Sequence, residues 1–351
     1  MPIFSSGMLP GTGTNVANEL QAVTRRAFIP KLIVQNIYFA TPVLSSLLAN
    51  AEPISGGVSP ITVPVQGQAL TTTQTTGYDG SFTAPTLQTG IQNAEFNLCA
   101  MVTPIPFYVF EGLAQIDAAV IPIIEARMND AGNSITQYLA YALMAGTTPS
   151  GGALTTQDIW SFADVTATAN PARANFGGIS RTTNSFWSGT TATIASITGN
   201  TAITRANVQA AIVKSTKAGS GEMPTFGVVG PGTWLTLSQD FIGSERYNIT
   251  PERAFSEAED GARAAFTALS VAGVPIYMDL LQPENTLLLL NTSYLGFKMH
   301  QDASFAVAGP ESLLPNMQLA YIMVLVTLLQ LVASKPAAQT SITSFTGAAI
   351  V

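Results

Sequence analysis

Gln115-Ile116-Asp117-Ala118-Ala119-Val120-Ile121-Pro122-Ile123-Ile124-Glu125-Ala126-Arg127-Met128-Asn129-Asp130-Ala131-Gly132-Asn133-Ser134-Ile135-Thr136-Gln137-Tyr138-Leu139-Ala140-Tyr141-Ala142-Leu143-Met144-Ala145-Gly146 is the longest stretch of the chain with a helical period. Ile116, Val120, Ile123, Ile124, Met128, Ala131, Ile135, Tyr138, Leu139, Ala142 and Leu143 follow one another mostly in steps of three and four, which puts them on one stripe. Glu125, Asn129, Asp130, Asn133, Ser134 and Gln137 fall mostly opposite. Asp117 is the expected N-cap, and Pro122 opens the helix or kinks its first turn. Gly146, followed by Thr147-Thr148-Pro149-Ser150-Gly151-Gly152, stops it. At about 1.5 Å per residue such a helix is roughly 35–45 Å long, longer than a small domain is wide. It is expected to be a spine along which the subunit is laid out.

On either side of the spine the chain is poor in charge. Only 10% of its 351 residues are charged, 47% are apolar, and the net charge is −7; a typical domain has ~25% charged residues. Few strongly hydrated side chains are available to cover a monomer's surface, so burial against further copies of the chain is the expected solution. The negative balance argues against tight phosphate binding. Cys99 is the one cysteine, which excludes an internal disulfide, and its apolar surroundings (Phe96-Asn97-Leu98-Cys99-Ala100-Met101-Val102) predict a buried thiol. Met1-Pro2-Ile3-Phe4-Ser5-Ser6-Gly7 has neither the basic nor the apolar region of a signal peptide, so synthesis in the cytoplasm is expected.

Upstream of the spine, residues 1–34 are expected to be an extended arm and 35–51 short helical turns around Pro42. Residues 52–102 have the pattern of a long two-stranded arm. Ile54 to Val65 form one limb, with prolines that exclude a central ladder position. Thr71 to Ser81 form a turn-rich tip, and Phe82 to Thr103 return as strand. Asp79 is the sole charge between Glu52 and Glu95. An isolated hairpin is marginal in water, so this one is expected to lie on a neighbouring subunit, with Tyr78 and Phe82 as contact candidates.

Downstream, 147–202 is rich in Gly, Thr, Ser and Asn without a period, yet Trp160, Phe162, Phe176, Phe186 and Trp187 predict that it packs. Thr204 is the expected cap of a helix over 204–217, with Lys214 and Lys217 near its C-terminal end. Strands are expected at Thr225–Gly230, Val271–Met278 and Thr286–Leu290, and a helix from Pro231. Residues 240–263 hold the densest charge, including Asp240, Glu245, Arg246, Glu252, Arg253, Glu257, Glu259, Asp260 and Arg263. Leu319–Ala333 is nearly all apolar but, at about 15 residues, short for a membrane span, and is expected to be a buried strand. Thr340–Thr346 is expected to close the chain as a last strand.

Motifs of chemistry are missing. His300 is the one histidine, so its proximity to Asp302 is weak evidence for acid–base work, and a structural or surface role is expected. No G-x-S-x-G, phosphate loop, dinucleotide fingerprint, H-E-x-x-H or EF-hand loop occurs. Glu257, Glu259 and Asp260 could hold a cation, but a solvated helix end or pairing with Arg253 and Arg263 is the expectation. No catalytic residue, metal site or cofactor is expected.

The order of elements (arm, uncharged two-stranded loop, spine ending in glycine, mixed α/β domain, return strands) resembles the Hong Kong 97 fold of tailed-bacteriophage major capsid proteins, an α+β fold. Gly177-Gly178-Ile179-Ser180-Arg181, Asn184 and Trp187, Phe226-Gly227-Val228-Val229-Gly230-Pro231-Gly232-Thr233-Trp234, Ala272-Gly273-Val274-Pro275-Ile276, and Leu331-Val332-Ala333-Ser334-Lys335-Pro336-Ala337-Ala338-Gln339 are similar to runs of that family. The resemblance covers roughly residues 30–346, and its weight lies in the ordered set rather than in any one run. It implies an extended E-loop over 52–102, a P-domain over 35–51, 103–203 (spine 115–146, insertion 147–202) and 297–351, and an A-domain over 204–296. It also implies a homo-oligomer of pentamers and hexamers in an icosahedral virion, synthesised in a host bacterial cytoplasm. Double-stranded DNA would be enclosed without sequence-specific binding, portal and cement proteins are further expected partners, and no membrane is involved. Arg246, Arg253 and Glu257 then fall near contacts between subunits. Two departures matter. There is no room before the arm for a cleaved scaffolding region, so a separate scaffold or none is expected. None of the five lysines lies in 52–102, so the Lys–Asn crosslink of some members is not expected. An encapsulin-like shell around protein cargo, another self-assembling phage structural protein, and, third, an enzyme are the alternatives.

Overall fold

The computed structural model describes residues 41–55, 60–67, 73–82, 90–109, 111, 123–242, 269–314 and 318–346. In chain order the elements begin with α1 (Pro42–Ala49), β1 (Glu52–Ile54), β2 (Ile61–Gln66), β3 (Ile91–Phe96) and β4 (Cys99–Tyr108). Next come α2 (Ile123–Ala140), α3 (Phe162–Thr166), β5 (Thr190–Thr193), α4 (Ile194–Thr198), α5 (Arg205–Ala218), β6 (Phe226–Val229) and α6 (Pro231–Ile242). The chain continues through β7 (Leu269–Val271), β8 (Val274–Met278), β9 (Leu287–Leu290), β10 (Leu295–His300), β11 (Ala306–Ser312), β12 (Ala320–Ala333) and β13 (Thr340–Thr343). It is an α+β fold of two compact units. Ala100–Tyr138 and His300–Leu328 belong to one, and Ala40–Cys99, Leu139–Met299 and Leu329–Val351 to the other.

The expected spine is helix α2, continued by a π-helical turn at Tyr141–Ala145 and stopped by Gly146 at φ 66°, a left-handed conformation that glycine adopts without steric cost. Ala131, Ile135, Leu139, Ala142 and Leu143 are buried, and Asn129, Asp130 and Asn133 are exposed. Met144 is buried as well, because the wider π turn shifts the register and brings three successive residues inward. The start of the spine, with Asp117 and Pro122, lies outside the described residues.

In the first unit, β11 pairs antiparallel with β12, and β4 also pairs with β12. Arg127 on α2 donates to both carboxylate oxygens of the buried Glu111, at 2.7 and 3.1 Å, and to the carbonyl of Pro106 at 2.9 Å. This charge-assisted fork ties α2 to the end of β4.

The second unit is built on a six-stranded sheet in the order β5-β13-β9-β6-β8-β7. β6 and β8 run parallel, as do β13 and β5, and the other pairs are antiparallel. Val208, Ala211 and Ile212 of α5 and Leu237 of α6 share a core with Val229, Val271, Ile276, Leu287, Leu289 and Ile342. β9 is four leucines, all buried, as a central strand covered on both faces requires. Thr204 caps α5 by accepting from the Asn207 N–H at 3.3 Å, as its sequence suggests. Val271–Met278, expected as one strand, is a hairpin. Ala272 and Gly273 both take positive φ (51° and 84°), which is the two-residue turn whose twist suits paired strands.

β12 is the expected apolar strand, and Gln330 inside it is bonded through both its oxygen and its amide. Its side-chain oxygen accepts from the N–H groups of Trp160 and Leu331, both at 3.0 Å, and its amide donates to the Asn97 carbonyl at 2.8 Å. The described part of the limb expected as strand from Phe82 to Thr103 begins at residue 90 and forms two strands, β3 and β4, interrupted at Asn97-Leu98. The last strand ends at Thr343, because Ser344 turns the chain at φ 65°.

Candidate assembly surfaces

β2 and β3 form a two-stranded antiparallel ribbon from Ile61↔Phe96 to Gln66↔Ile91. Its base is anchored on its own chain. Ala94 and Phe96 are wholly buried, and the Phe96 ring meets Phe176 edge-on at 5.2 Å. Phe176 in turn packs on Trp160 (5.2 Å) and Trp187 (6.1 Å), and the Trp187 indole N–H donates to the Phe176 carbonyl at 2.7 Å. Thus the aperiodic 147–202 stretch packs through the aromatics its sequence displays. Only Phe186 among the five stays half-buried.

Two arginines hold this region. Arg181 is 3% exposed and donates to the carbonyls of Asp164 (2.8 Å), Ala169, Val165 and Trp187 (each 3.1 Å), with its guanidinium 5.2 Å from the Phe176 ring. Burial pushes the guanidinium down to about 10, partly offset by the Asp164 carboxylate, so it stays charged at neutral pH. Arg173 lies 4.4 Å from the Trp160 ring, pairs with Asp164, and donates to the carbonyls of Thr155 and Ile159 at 2.9 and 2.8 Å. Asp164 also closes a capping box with Ser161 at the start of α3. The arginine–carbonyl clasp has no local sequence pattern, although Gly177 to Trp187 stands out as a run.

Beyond this anchored base the tip is bare. Tyr78 is fully exposed and Phe82 is 71% exposed, in a turn fixed by the Gly80 N–H on the Gly77 carbonyl (3.0 Å) and by the Ser81 hydroxyl on Asp79 (2.8 Å). The Ser81 hydroxyl, with the Ser81 backbone N–H, holds Asp79 below the ordinary carboxylate range. The contact candidates Arg246, Arg253 and Glu257 lie outside the described residues, as does the Glu257, Glu259 and Asp260 cluster.

Among the described residues no three His, Cys, Asp or Glu side chains come together as a metal site. His300 caps a short turn, its Nδ1 accepting from the Asp302 backbone N–H at 3.2 Å, so the pair is local structure. Cys99 is 4% exposed, and burial first, then the Asp158 charge, push its thiol up to about 11. A groove of about 780 Å³ is lined by α1, Pro275, Tyr277, Val332 and the Lys298–Glu52 ion pair. No described helix is long and apolar enough to cross a membrane.

The described chain matches solved capsid structures along nearly all of its length. A subunit of the cyanophage A-1(L) capsid asymmetric unit superposes with a TM-score of 0.65 at 16% identity, over 91% of this chain and 96% of that one. This chain has the Hong Kong 97 capsid fold. The capsid of an empty GTA particle matches with a TM-score of 0.54 at 15% identity, over 90% and 95% of the two chains. The SrpI encapsulin of Synechococcus elongatus PCC 7942 matches with 0.51 at 11%, over 93% and 96%. No family model and no curated protein matches the sequence.

Proposed function

We propose that this chain is the structural subunit of a protein shell, a major capsid protein that assembles as pentamers and hexamers into an icosahedral phage head around double-stranded DNA. The observation that carries this reading is the likeness to the cyanophage A-1(L) capsid subunit over nearly the whole of both chains. The bare, nearly uncharged hairpin tip supports it, because Tyr78 and Phe82 would be costly to leave in water and are suited to a neighbouring copy. An enzyme reading lacks any comparable support.

In this reading 1–34 is the N-terminal arm, 52–102 the E-loop, 204–296 the A-domain, and 35–51, 103–203 and 297–351 the P-domain. Arg246, Arg253 and Glu257 lie at contacts within capsomers, the heterologous contacts that closed rings need. The shell is held without covalent crosslinks. It is found in the virion after synthesis in the host cytoplasm, with a portal, cement proteins and either a separate scaffold or none as its partners. The second reading is a shell around protein cargo, favoured by the likeness to the SrpI encapsulin.

Expression of the full chain, with electron microscopy and light scattering, tests the first step. Closed shells or five- and six-membered rings are expected, and a persistent monomer in the presence of phage lysate would refute the reading. Nuclease-protected DNA in particles isolated from phage separates a phage head from a cargo compartment. Charge reversal at Arg253 is expected to block assembly.

A further inference from the structure

At the end of β8 the chain turns through Asp279-Leu280-Leu281-Gln282, closed by the Gln282 N–H on the Asp279 carbonyl at 3.3 Å and tied to β6 by the Asp279 N–H on the Val229 carbonyl at 3.0 Å. Asp279 is 1% and Gln282 4% exposed. One Asp279 oxygen accepts from the Leu281 N–H at 3.0 Å. The other, Oδ2, has no partner, and neither has the side-chain oxygen of Gln282. Two acceptors three residues apart in one turn therefore lack a hydrogen. An unpartnered buried carboxylate is costly, more so than an unpartnered amide oxygen. A single proton on Oδ2 supplies what both lack.

We propose that the Asp279–Gln282 turn is a proton-dependent latch: one proton taken from solvent onto Oδ2 makes a donor for the Gln282 Oε1, and its loss loosens the turn. An i to i+3 turn keeps the two residues within side-chain reach. Burial pushes the carboxyl up to about 6 against the pull of the Leu281 N–H, in the direction the latch requires. Along the chain the titratable groups that flank the turn are Tyr277 on β8 and Glu284 just beyond it. Glu284 is already engaged, accepting from the N–H groups of Gly232 (3.0 Å) and Thr233 (3.2 Å) at the start of α6. Residues 229–233, packed against the turn from β6 and the start of α6, carry no charge. Trp234 on α6 has an unpartnered indole N–H and bonds to neither acceptor. The proposal concerns the protomer and does not depend on the shell reading.

The sign follows from the raised carboxyl. The closed turn is favoured below the unfolded value of 3.8, and that advantage is lost as pH rises through about 6. Hydrogen exchange of the peptide 279–285 in the full chain, from pH 4 to 8, reads it out, with Asp279→Asn as reference at each pH to cancel base-catalysed exchange. Protection relative to the reference is expected to be highest near pH 4, to fall by up to about 100-fold as pH rises to about 6, the size of a two-unit shift, and to level off from there to pH 8. Gln282→Leu discriminates the latch from burial alone. Removing the acceptor of the proton is expected to move the midpoint to lower pH, whereas burial alone, or a water bridging the two oxygens, leaves it in place or raises it. A flat ratio, or a midpoint unmoved or raised by Gln282→Leu, overturns the proposal. If Asp279→Asn does not fold, the wild-type and Gln282→Leu profiles compared with each other still decide it.

Discussion

Arg181 gives four hydrogen bonds, all to backbone carbonyls contributed by residues 164, 165, 169 and 187. A guanidinium suits this task because its donors are fixed in one plane and it is more weakly hydrated than an ammonium. Arg181→Met keeps volume but strands those carbonyls without donors, and is expected to cost at least about 3 kcal/mol of stability, read from urea midpoints. Arg181→Lys is expected to recover little, since one ammonium cannot span four acceptors. Cys99 gives an independent residue-scale check of the same unit. With its thiol pushed up to about 11 and shut in, it is expected to react with a disulfide reagent at pH 8 only after denaturation, and prompt labelling of the folded chain would contradict its placement. The thiol's burial was legible from its apolar neighbours. The arginine's depth was not, because bonds to carbonyls many residues away leave no local pattern.

At the scale of elements, period decided what could be foreseen. The stripe through Ala131, Ile135 and Leu139 and the stop at Gly146 were legible because helices repeat and glycine alone is at ease at positive φ. The Ala272-Gly273 turn was hidden, since alanine rarely takes φ 51° and apolar residues flank it on both sides. The ribbon of β2 and β3 was foreseen, but not its seat on Phe176, which depends on a glycine. Gly177 sits at φ 60°, and a Cβ there would lie 3.0 Å from the Phe96 ring, 3.2 Å from Ala94 and 3.3 Å from Trp187. Gly177→Ala is therefore expected to cost about 1–3 kcal/mol, from backbone strain together with crowding. Because two of the three crowded neighbours, Phe96 and Ala94, belong to β3, limited proteolysis within 73–82 is expected to accelerate. A variant that loses stability without faster cleavage there would detach Gly177 from the ribbon's anchoring.

For the whole molecule, the two ends of the hairpin differ in burial, and under the proposed assembly they would differ in what they stabilise. Its base contributes Ala94 and Phe96 to a buried aromatic cluster, while its tip leaves Tyr78 and Phe82 in water. A surface residue that touches nothing in its own chain contributes little to the protomer's stability, so changes there are usually within about 0.5 kcal/mol. The same side chains, closed off by a neighbouring copy, would bury most of two aromatic rings, worth about 1.5–3 kcal/mol each at every contact. In a closed shell that term recurs once per subunit, so a modest change at one contact becomes a large change in assembly. The double variant Tyr78→Ser with Phe82→Ser is accordingly expected to keep the wild-type urea midpoint as a protomer while raising the concentration needed for shells or rings by 10-fold or more, followed by light scattering. Equal loss of protomer stability would place the tip's role in folding. Unchanged assembly would mean that the tip is not the seat of the contact, and that the neighbouring copy is held elsewhere on the chain.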